Sequence, residues 1–392
     1  MSAGEDRWLL PDGIEELLPA EAARVEDLRR DLLDLYFRWG YELVIPPLIE
    51  YTESLLIGLG KDLDLQTFTT TDQTTGRQLG IRPDITPQAA RIDAHSLRRD
   101  GAVRLCYAGS VLHTRRRSPF ASRSPMQIGA EFFGEASLAA DIEIICLMLE
   151  TLQRAGLREL TLDLGHVGIF RALMGQMALP APVRDALFDA LQDKSAARIA
   201  EIVREQSVDA AQGVVLQHLA GLHGDRSVLT EASALLADAG PDVAVGLRAL
   251  EAVADAVAAR VSGVTLHFDV CELHGYHYHT GLVFAAYTPG FGEAVANGGR
   301  YDDIGRVFGR ARPATGFNTD LKALLLLGTP VTGAERAIFV PYALQASAWP
   351  EMQRLRAAGE RVVAGVPMQT RSPGCDRELR AAPGGTWHIH SF

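Results

Sequence analysis

The run Leu105-Cys106-Tyr107-Ala108-Gly109-Ser110-Val111-Leu112-His113-Thr114-Arg115, followed after a polar connection by Gln127-Ile128-Gly129-Ala130-Glu131, decides the fold. Between residues 107 and 134 two strand-like stretches flank Arg115-Arg116-Arg117-Ser118-Pro119-Phe120-Ala121-Ser122-Arg123, which predicts a hairpin with a cationic loop. That loop holds four arginines in nine residues of an otherwise acidic chain. It reads equally as a solvated turn and as a surface for phosphate or an acidic partner. On the returning strand the two-residue period puts Gln127, Gly129 and Glu131 on one face. The carboxamide and carboxylate then lie roughly 13 Å apart, with a side-chain-free gap over which a small ligand can lie.

Outward from the hairpin, helix and strand periods alternate. Val25, Leu28, Leu32, Leu35 and Tyr36 recur at three- and four-residue spacings and predict an amphipathic helix over 20–39, stopped by Gly40. Tyr41-Glu42-Leu43-Val44-Ile45 predicts a short strand running into the stiff Pro46-Pro47. A second helix is expected over 138–155, with Ile142, Ile145, Leu149 and Leu152 on one face, then an alternating strand over 160–164. The alanine- and leucine-rich stretch from about 176 to 240 predicts an inserted helical subdomain, broken at Gly221-Leu222-His223-Gly224. Strand signals return at 264–270 and 282–286, with Pro289-Gly290-Phe291-Gly292 as a turn. The expected fold is α+β, an antiparallel sheet flanked by helices. Residues 1–330 form the core. Residues 331–392 form a small α/β module, with strands at 337–340 and 361–366, a helix at 349–358 and a weakly structured tail.

A chain of 392 residues is long for one domain. With 38 basic against 49 acidic residues its net charge is −11, which disfavours nucleic acid as the default partner. Cys106, Cys146, Cys271 and Cys375 are scattered without a CxxC pair, so they are expected to be reduced, half-buried thiols. No secretion signal and no apolar run of about 20 residues is present, so no membrane partner is expected and the chain is read as cytoplasmic.

Three further places concentrate polar residues. In Arg82-Pro83-Asp84-Ile85-Thr86-Pro87-Gln88-Ala89-Ala90-Arg91 the prolines hold an extended lead-in to a helix, with Thr86 placed as a cap and Asp84 and Thr86 able to face a cleft. His274-Gly275-Tyr276-His277-Tyr278-His279-Thr280-Gly281 tempts a metal assignment. In a strand His277 and His279 share a face that His274 does not, and no acidic residue lies in the run, so a polar cleft lining is expected and no metal. Asn297-Gly298-Gly299-Arg300-Tyr301-Asp302-Asp303 reads as a turn.

Taken together, the order and spacing of these places resemble the class II aminoacyl-tRNA synthetase catalytic domain, specifically that of histidyl-tRNA synthetase, over about residues 8–330. Gly40 to Pro47 looks like the dimer-forming first motif and Arg82-Pro83-Asp84-Ile85-Thr86 like the Arg-Pro-Glu-Gly-Thr run. Residues 107–134 stand in the place of the second motif, 275–284 in that of the histidine-specific strand, and Gly316-Phe317 opens the third motif. The resemblance implies an amino-acid pocket in which Asp84, Thr86 and Gln127 hold an α-amino group, Glu131 meets an imidazole, and Tyr278 and His279 replace a tyrosine pair.

The departures concern ATP. Adenylate formation uses arginines to stabilise phosphate charge. Where the synthetase has Arg-x-Glu, this chain has His113-Thr114-Arg115. Ala323 stands where the third-motif arginine belongs, and His274 where the histidine-specific strand carries its catalytic arginine. No catalytic residue and no cofactor are therefore expected.

This pattern is similar to the synthetase paralogues that serve as regulatory subunits of ATP phosphoribosyltransferase. The resemblance implies a non-catalytic, allosteric subunit in the first step of L-histidine biosynthesis. Its implied partners are a short-form catalytic subunit, joined in a hetero-octamer, a second copy of itself as a dimer, and the feedback inhibitor L-histidine. It further implies that tRNA is not a partner and that 331–392 is a remnant of an anticodon-binding domain. Competing readings are a free-standing histidine-binding sensor and an active histidyl-tRNA synthetase.

Overall fold

The computed structural model describes residues 8–55, 65–116, 118, 121–177, 179–206, 208–273, 278–328, 337–382 and 385–392. Two compact units divide the chain, Met1–Thr329 and Pro330–Phe392. The first is built on a nine-stranded sheet. Across it run β1 (Glu42–Leu43), β5 (Val103–Ser110), β6 (Met126–Phe133), β12 (Ala314–Asp320), β11 (Ala296–Arg300), β10 (Leu282–Tyr287), β7 (Leu160–His166), β9 (Val264–Asp269) and β8 (His223–Gly224). All neighbours are antiparallel except β1 with β5 and β7 with β9. A small sheet of β2 (Ile49–Tyr51), β4 (Gln78–Ile81) and β3 (Phe68–Thr71) stands beside it.

The period of two divides the central strands into two chemistries. Ile128, Ala130 and Phe132 of β6 join the main apolar cluster, which includes Tyr36 and Leu32 of helix Pro19–Arg38 and Ile144, Met148 and Leu152 of helix Leu138–Arg154. The opposite face carries Leu105, Tyr107, Phe133 and Tyr301, roofed by Ile85 and Ala89 and by Ile304. The site lies on this second face.

The two long helices fall where the apolar spacing places them. Helix Leu138–Arg154 is buried on more sides than one stripe, since Ile144, Leu147 and Met148 are as inaccessible as Ile145 and Leu149, whereas Ile142 is only partly buried. The stretch 176–240 supplies helices Ala181–Gln192, Ala196–Glu205, Ala210–Leu219 and Ser227–Leu235. Its Leu187, Leu191, Ile199, Leu216 and Leu229 belong to the same apolar cluster as the main sheet, and the Gly221–Gly224 break contributes edge strand β8.

Several expectations are corrected. The strand at 41–45 contracts to the two residues of β1, because Pro46 and Pro47 cannot donate to a ladder. Asn297 to Arg300 is no turn but β11, a central strand. A side chain at Gly298 would overlap the Gly316 carbonyl and press on Phe284, so this glycine serves close strand packing. Thr86 is the first residue of helix Thr86–Arg91 rather than its cap; the Asp84 carboxylate accepts the Thr86 N–H instead, at 2.9 Å. All four cysteines are fully buried free thiols rather than half-buried ones.

The second unit pairs β13 (Ala337–Val340) in parallel with β14 (Arg361–Ala364) and with β15 (Arg377–Ala381). β16 (Trp387–Ser391) adds antiparallel to β15, so the tail read as weakly structured is two strands. Helix Gln345–Ala357 covers one face through Ala348, Met352 and Leu355.

Candidate functional site

Three glycines on the second face of the sheet make the site possible. Gly129 of β6, Gly316 of β12 and Gly299 of β11 lie across neighbouring strands, Gly316 standing opposite both Glu131 and Gly299. A Cβ at Gly316 would overlap the Glu131 carboxylate, one at Gly129 would lie 2.7 Å from the Tyr107 hydroxyl, and one at Gly299 2.7 Å from His279 Nδ1. Each missing side chain lets a neighbour's functional group lie flat against the sheet.

The gap between Gln127 and Glu131 is therefore not open. Tyr107 pairs with Gly129 in the hairpin register and its ring fills the space. The Tyr107 hydroxyl donates to Glu131 Oε1 at 2.9 Å and shares a hydrogen bond of 3.0 Å with Thr86 Oγ1. Tyr301 donates to Glu131 Oε2, so both carboxylate oxygens are held. The Tyr301 ring stacks on Tyr278, with centroids 5.0 Å apart, and meets Phe133 edge-on.

Gln127 reaches the other end of the network. Its Oε1 accepts the Ile85 N–H at 2.8 Å and its Nε2 donates to Asp84 Oδ1 at 3.0 Å, the same oxygen that accepts Thr86 N–H. Among the described residues the second Asp84 oxygen takes no donor, and Asp84 is part exposed, so an ammonium group can reach it. The Tyr278 hydroxyl is buried without a hydrogen-bond partner among the described residues. A buried hydroxyl of this kind is able to pair with a polar atom brought to it.

Burial dominates the electrostatics. It pushes the Glu131 carboxyl up to about 8, against the pull of the Tyr301 and Tyr107 hydrogen bonds. Burial first, then the nearby Glu131 charge, raises Tyr107, Tyr278 and Tyr301 well above the ordinary phenol range. The pocket thus offers a carboxyl that can donate or accept, phenols that stay protonated, and one reachable carboxylate oxygen. That suits a zwitterion with a polar side chain.

Of the residues expected from sequence, Asp84, Thr86, Gln127, Glu131 and Tyr278 are brought together. His279 stands behind them, edge-on to Tyr278 at 5.1 Å, its carbonyl accepting from Arg171. Tyr278 to Gly281 is a turn rather than a strand. His113 is buried, with Nε2 2.9 Å from the Pro83 carbonyl, so it supports the backbone beside Asp84. Arg115 is exposed and Ala323 is part-buried on helix Leu321–Leu327. His274, with Gly275 to His277, lies outside the described residues. Sequence reading missed Tyr107 and Tyr301. Tyr107 was findable from the hairpin register, since it falls opposite Gly129.

Behind the pocket, Arg300 donates to both oxygens of the buried Asp141 and to the carbonyls of Glu135 and Ser137. This pins the end of β11, and with it Tyr301, to the start of helix Leu138–Arg154.

Comparison with known proteins places this geometry. Residues 13–324 match the histidyl-tRNA synthetase family, and residues 335–390 match the C-terminal domain of the ATP phosphoribosyltransferase subunit HisZ. The chain is 53% identical over 389 residues to the ATP phosphoribosyltransferase regulatory subunit of Pseudomonas aeruginosa (strain LESB58), covering 98% of each. It is 54% identical, with the same coverage, to that of Ectopseudomonas mendocina (strain ymp). A crystal structure described as an ATP phosphoribosyltransferase regulatory subunit/histidyl-tRNA synthetase from Bacillus halodurans C superposes with a TM-score of 0.82 at 27% identity, over 93% of this chain and 94% of that one. The glycine-floored, carboxyl-centred pocket therefore sits in a histidyl-tRNA synthetase fold, and the chain belongs to the ATP phosphoribosyltransferase regulatory subunit family.

Proposed function

We propose that this chain is the non-catalytic regulatory subunit of an ATP phosphoribosyltransferase, required by a short-form catalytic subunit in the first step of L-histidine biosynthesis. The observation that carries the reading is the polar network that links Asp84, Thr86, Gln127 and Glu131, while positions 113 and 323 hold no guanidinium. Asp84, Thr86, Gln127, Glu131 and Tyr278 form one connected site, while His113 is spent on a backbone carbonyl and Ala323 offers no charge. The relatives' shared name over nearly the whole chain supports it.

In this reading L-histidine binds the pocket, its amino group at Asp84 and its imidazole toward Glu131 and Tyr278, and feedback inhibition passes through it. Leu43, Ile45 and Leu48 are exposed beside edge strand β1, and an apolar row at a free edge supports a dimer through this region. The dimer joins catalytic subunits in a hetero-octamer in the cytoplasm and binds no tRNA. The Pro330–Phe392 unit is a reduced anticodon-binding domain. Among the described residues no helix is long and apolar enough to cross a membrane.

The deciding experiment measures phosphoribosyl-ATP formation by the cognate short catalytic subunit with and without this chain, then with histidine. The expected result is activation that histidine reverses. No activation of a folded cognate partner overturns the reading and favours a free-standing sensor; histidine-dependent exchange of pyrophosphate into ATP favours a synthetase.

A further inference from the structure

The helical insert reaches the loop behind the pocket through one lysine. Helix Ala181–Gln192 ends in a tight turn in which the Ser195 N–H bonds the Ala190 carbonyl and the Lys194 N–H bonds the Leu191 carbonyl. Such a turn puts one residue in the left-handed region, where glycine is the usual occupant, yet Lys194 stands there at φ +50°. The backbone gives no reason for a lysine at this position. The side chain does, because Lys194 Nζ reaches both oxygens of Asp269, at 2.7 Å to Oδ1 and 2.5 Å to Oδ2. The Asp269 side chain is only 8% exposed, and a charge so placed is costly without a close partner.

Asp269 is the last residue of β9 and the base of the loop that returns as β10. Its Oδ1 also accepts the Cys271 N–H at 3.2 Å, and its carbonyl accepts the Glu272 N–H at 3.1 Å. The Val270 N–H bonds the Leu222 carbonyl of the insert at 3.0 Å. Gly165 of β7 pairs with Asp269, and a Cβ there would lie 2.3 Å from Glu272 Cβ, so the start of the loop crosses directly over β7. The far end of the same loop lands on the next two residues. Leu282 pairs with His166, and the Gly281 carbonyl accepts the Val167 N–H at 3.0 Å. Just before that anchor the turn from Tyr278 to Gly281 presents Tyr278 to the pocket, with the His279 carbonyl accepting from Arg171 Nη2 at 3.0 Å. Both ends of the loop therefore stand on the corner Gly165-His166-Val167, and the insert clamps one of them.

We propose that Lys194 is a positioning residue for the amino-acid pocket: by gripping Asp269 it fixes the base of the loop whose far end carries Tyr278, and so ties the helical insert to ligand binding. A left-handed lysine is a local strain that persists where the surrounding contacts require it, and the contact here is the paired carboxylate at the loop base. Displacement of the two helices that flank Lys194, Ala181–Gln192 and Ala196–Glu205, draws on Asp269 and through it on the loop. The choice of histidine as ligand rests on the function proposed above, whereas the clamp is a property of the chain alone.

The test uses the full chain and pairs calorimetric titration of histidine with amide hydrogen exchange. Lys194→Gly suits the left-handed turn better than lysine does, so it removes the grip without straining the insert. Histidine is expected to bind this variant about fivefold more weakly, and amides 270–273 and 279–282 to exchange about fivefold faster, with those of β6 unchanged. Lys194→Arg, which keeps a cation on a long stem, is expected to restore both. Asp269→Asn is expected to weaken binding by a similar factor and the double variant no further, because two residues of one contact lose it only once. A Lys194→Gly chain that melts like wild type and either binds histidine as tightly or leaves the loop's exchange unchanged overturns the proposal, as does a double variant whose losses multiply. Should Lys194→Gly melt early, Lys194→Met, which keeps the stem and drops the charge, is expected to speed the same amides, and unchanged exchange overturns the clamp equally. If wild type binds no histidine, the ligand assignment fails, and the exchange comparison alone decides the clamp.

Discussion

Glu131 concentrates the cost and the purpose of the pocket in one residue. A fully buried carboxyl is expensive to ionise, and two phenol hydroxyls are not enough to restore its ordinary acidity. Burial in the folded chain pushes it up to about 8, whereas unfolding returns it to its ordinary value of 4.5. Between those values the folded state binds a proton that the unfolded state has lost, so stability falls as pH rises through this window. Glu131→Gln keeps the shape and removes the titration. Wild type is therefore expected to lose on the order of 3 kcal/mol more than Glu131→Gln between about pH 5 and pH 8. Urea melts at both pH values check this, and parallel losses in the two proteins would mean that the carboxyl is ionised without penalty. The difference isolates Glu131 from Asp141 and Asp320, whose carboxyls burial also raises.

The strands matter for what they omit. Gly316 of β12 leaves room for the Glu131 carboxylate, and a methyl there collides with that carboxylate and lies 2.8 Å from the Ala130 carbonyl. Neither neighbour can retreat, since β6 and β12 are paired along seven residues. Gly316→Ala is expected to cost roughly 2–3 kcal/mol in denaturant melts, while Gly292→Ala, where nothing lies within 4 Å, stays near neutral. Equal midpoints for the two would show that the floor has slack. The glycines also mark the limit of what sequence discloses. Helix spacing located Pro19–Arg38 and Leu138–Arg154, and two-residue alternation put Gln127 and Glu131 on one face, because both follow from local geometry. Adjacent glycines locally favour a turn, and only their neighbours Phe284, His279 and Gly316 make Asn297 to Arg300 a strand. Tyr107 closing the gap over Gly129 depends on cross-strand register, and Tyr301 reaching Glu131 depends on β11 lying beside β12. The short β8 and the charged β15 carry little alternation of their own and form through pairing with β9, with β13 and with β16, whose Trp387 and Ile389 do alternate with histidines.

At the scale of the whole molecule, a ligand pocket becomes regulatory only if its ligand prefers one state of an assembly. The pocket sits mid-sheet, and its roof helix Thr86–Arg91 ties to the exposed β1 region through one buried guanidinium. Arg82 donates to the carbonyls of Pro46 and Ser110 at 2.8 and 2.9 Å and to Gln88 Oε1, and Gln88 reaches Glu50. The backbone that leads to Asp84 is thereby fixed to the backbone of the expected dimer edge, so a change in either is felt by the other. Linkage makes the consequence measurable, because coupling between two binding events is reciprocal. If histidine inhibits by acting through this chain, the catalytic subunit must change this chain's affinity for histidine by the same factor that histidine changes assembly. Couplings of this kind are typically about 5- to 150-fold. Calorimetric titration of histidine into the chain alone and into the assembled complex is expected to give affinities differing by at least about fivefold, and Asp84→Ala is expected to weaken both. Equal affinities would leave the pocket a passive binding site, and inhibition would then have to arise from histidine held elsewhere in the assembly.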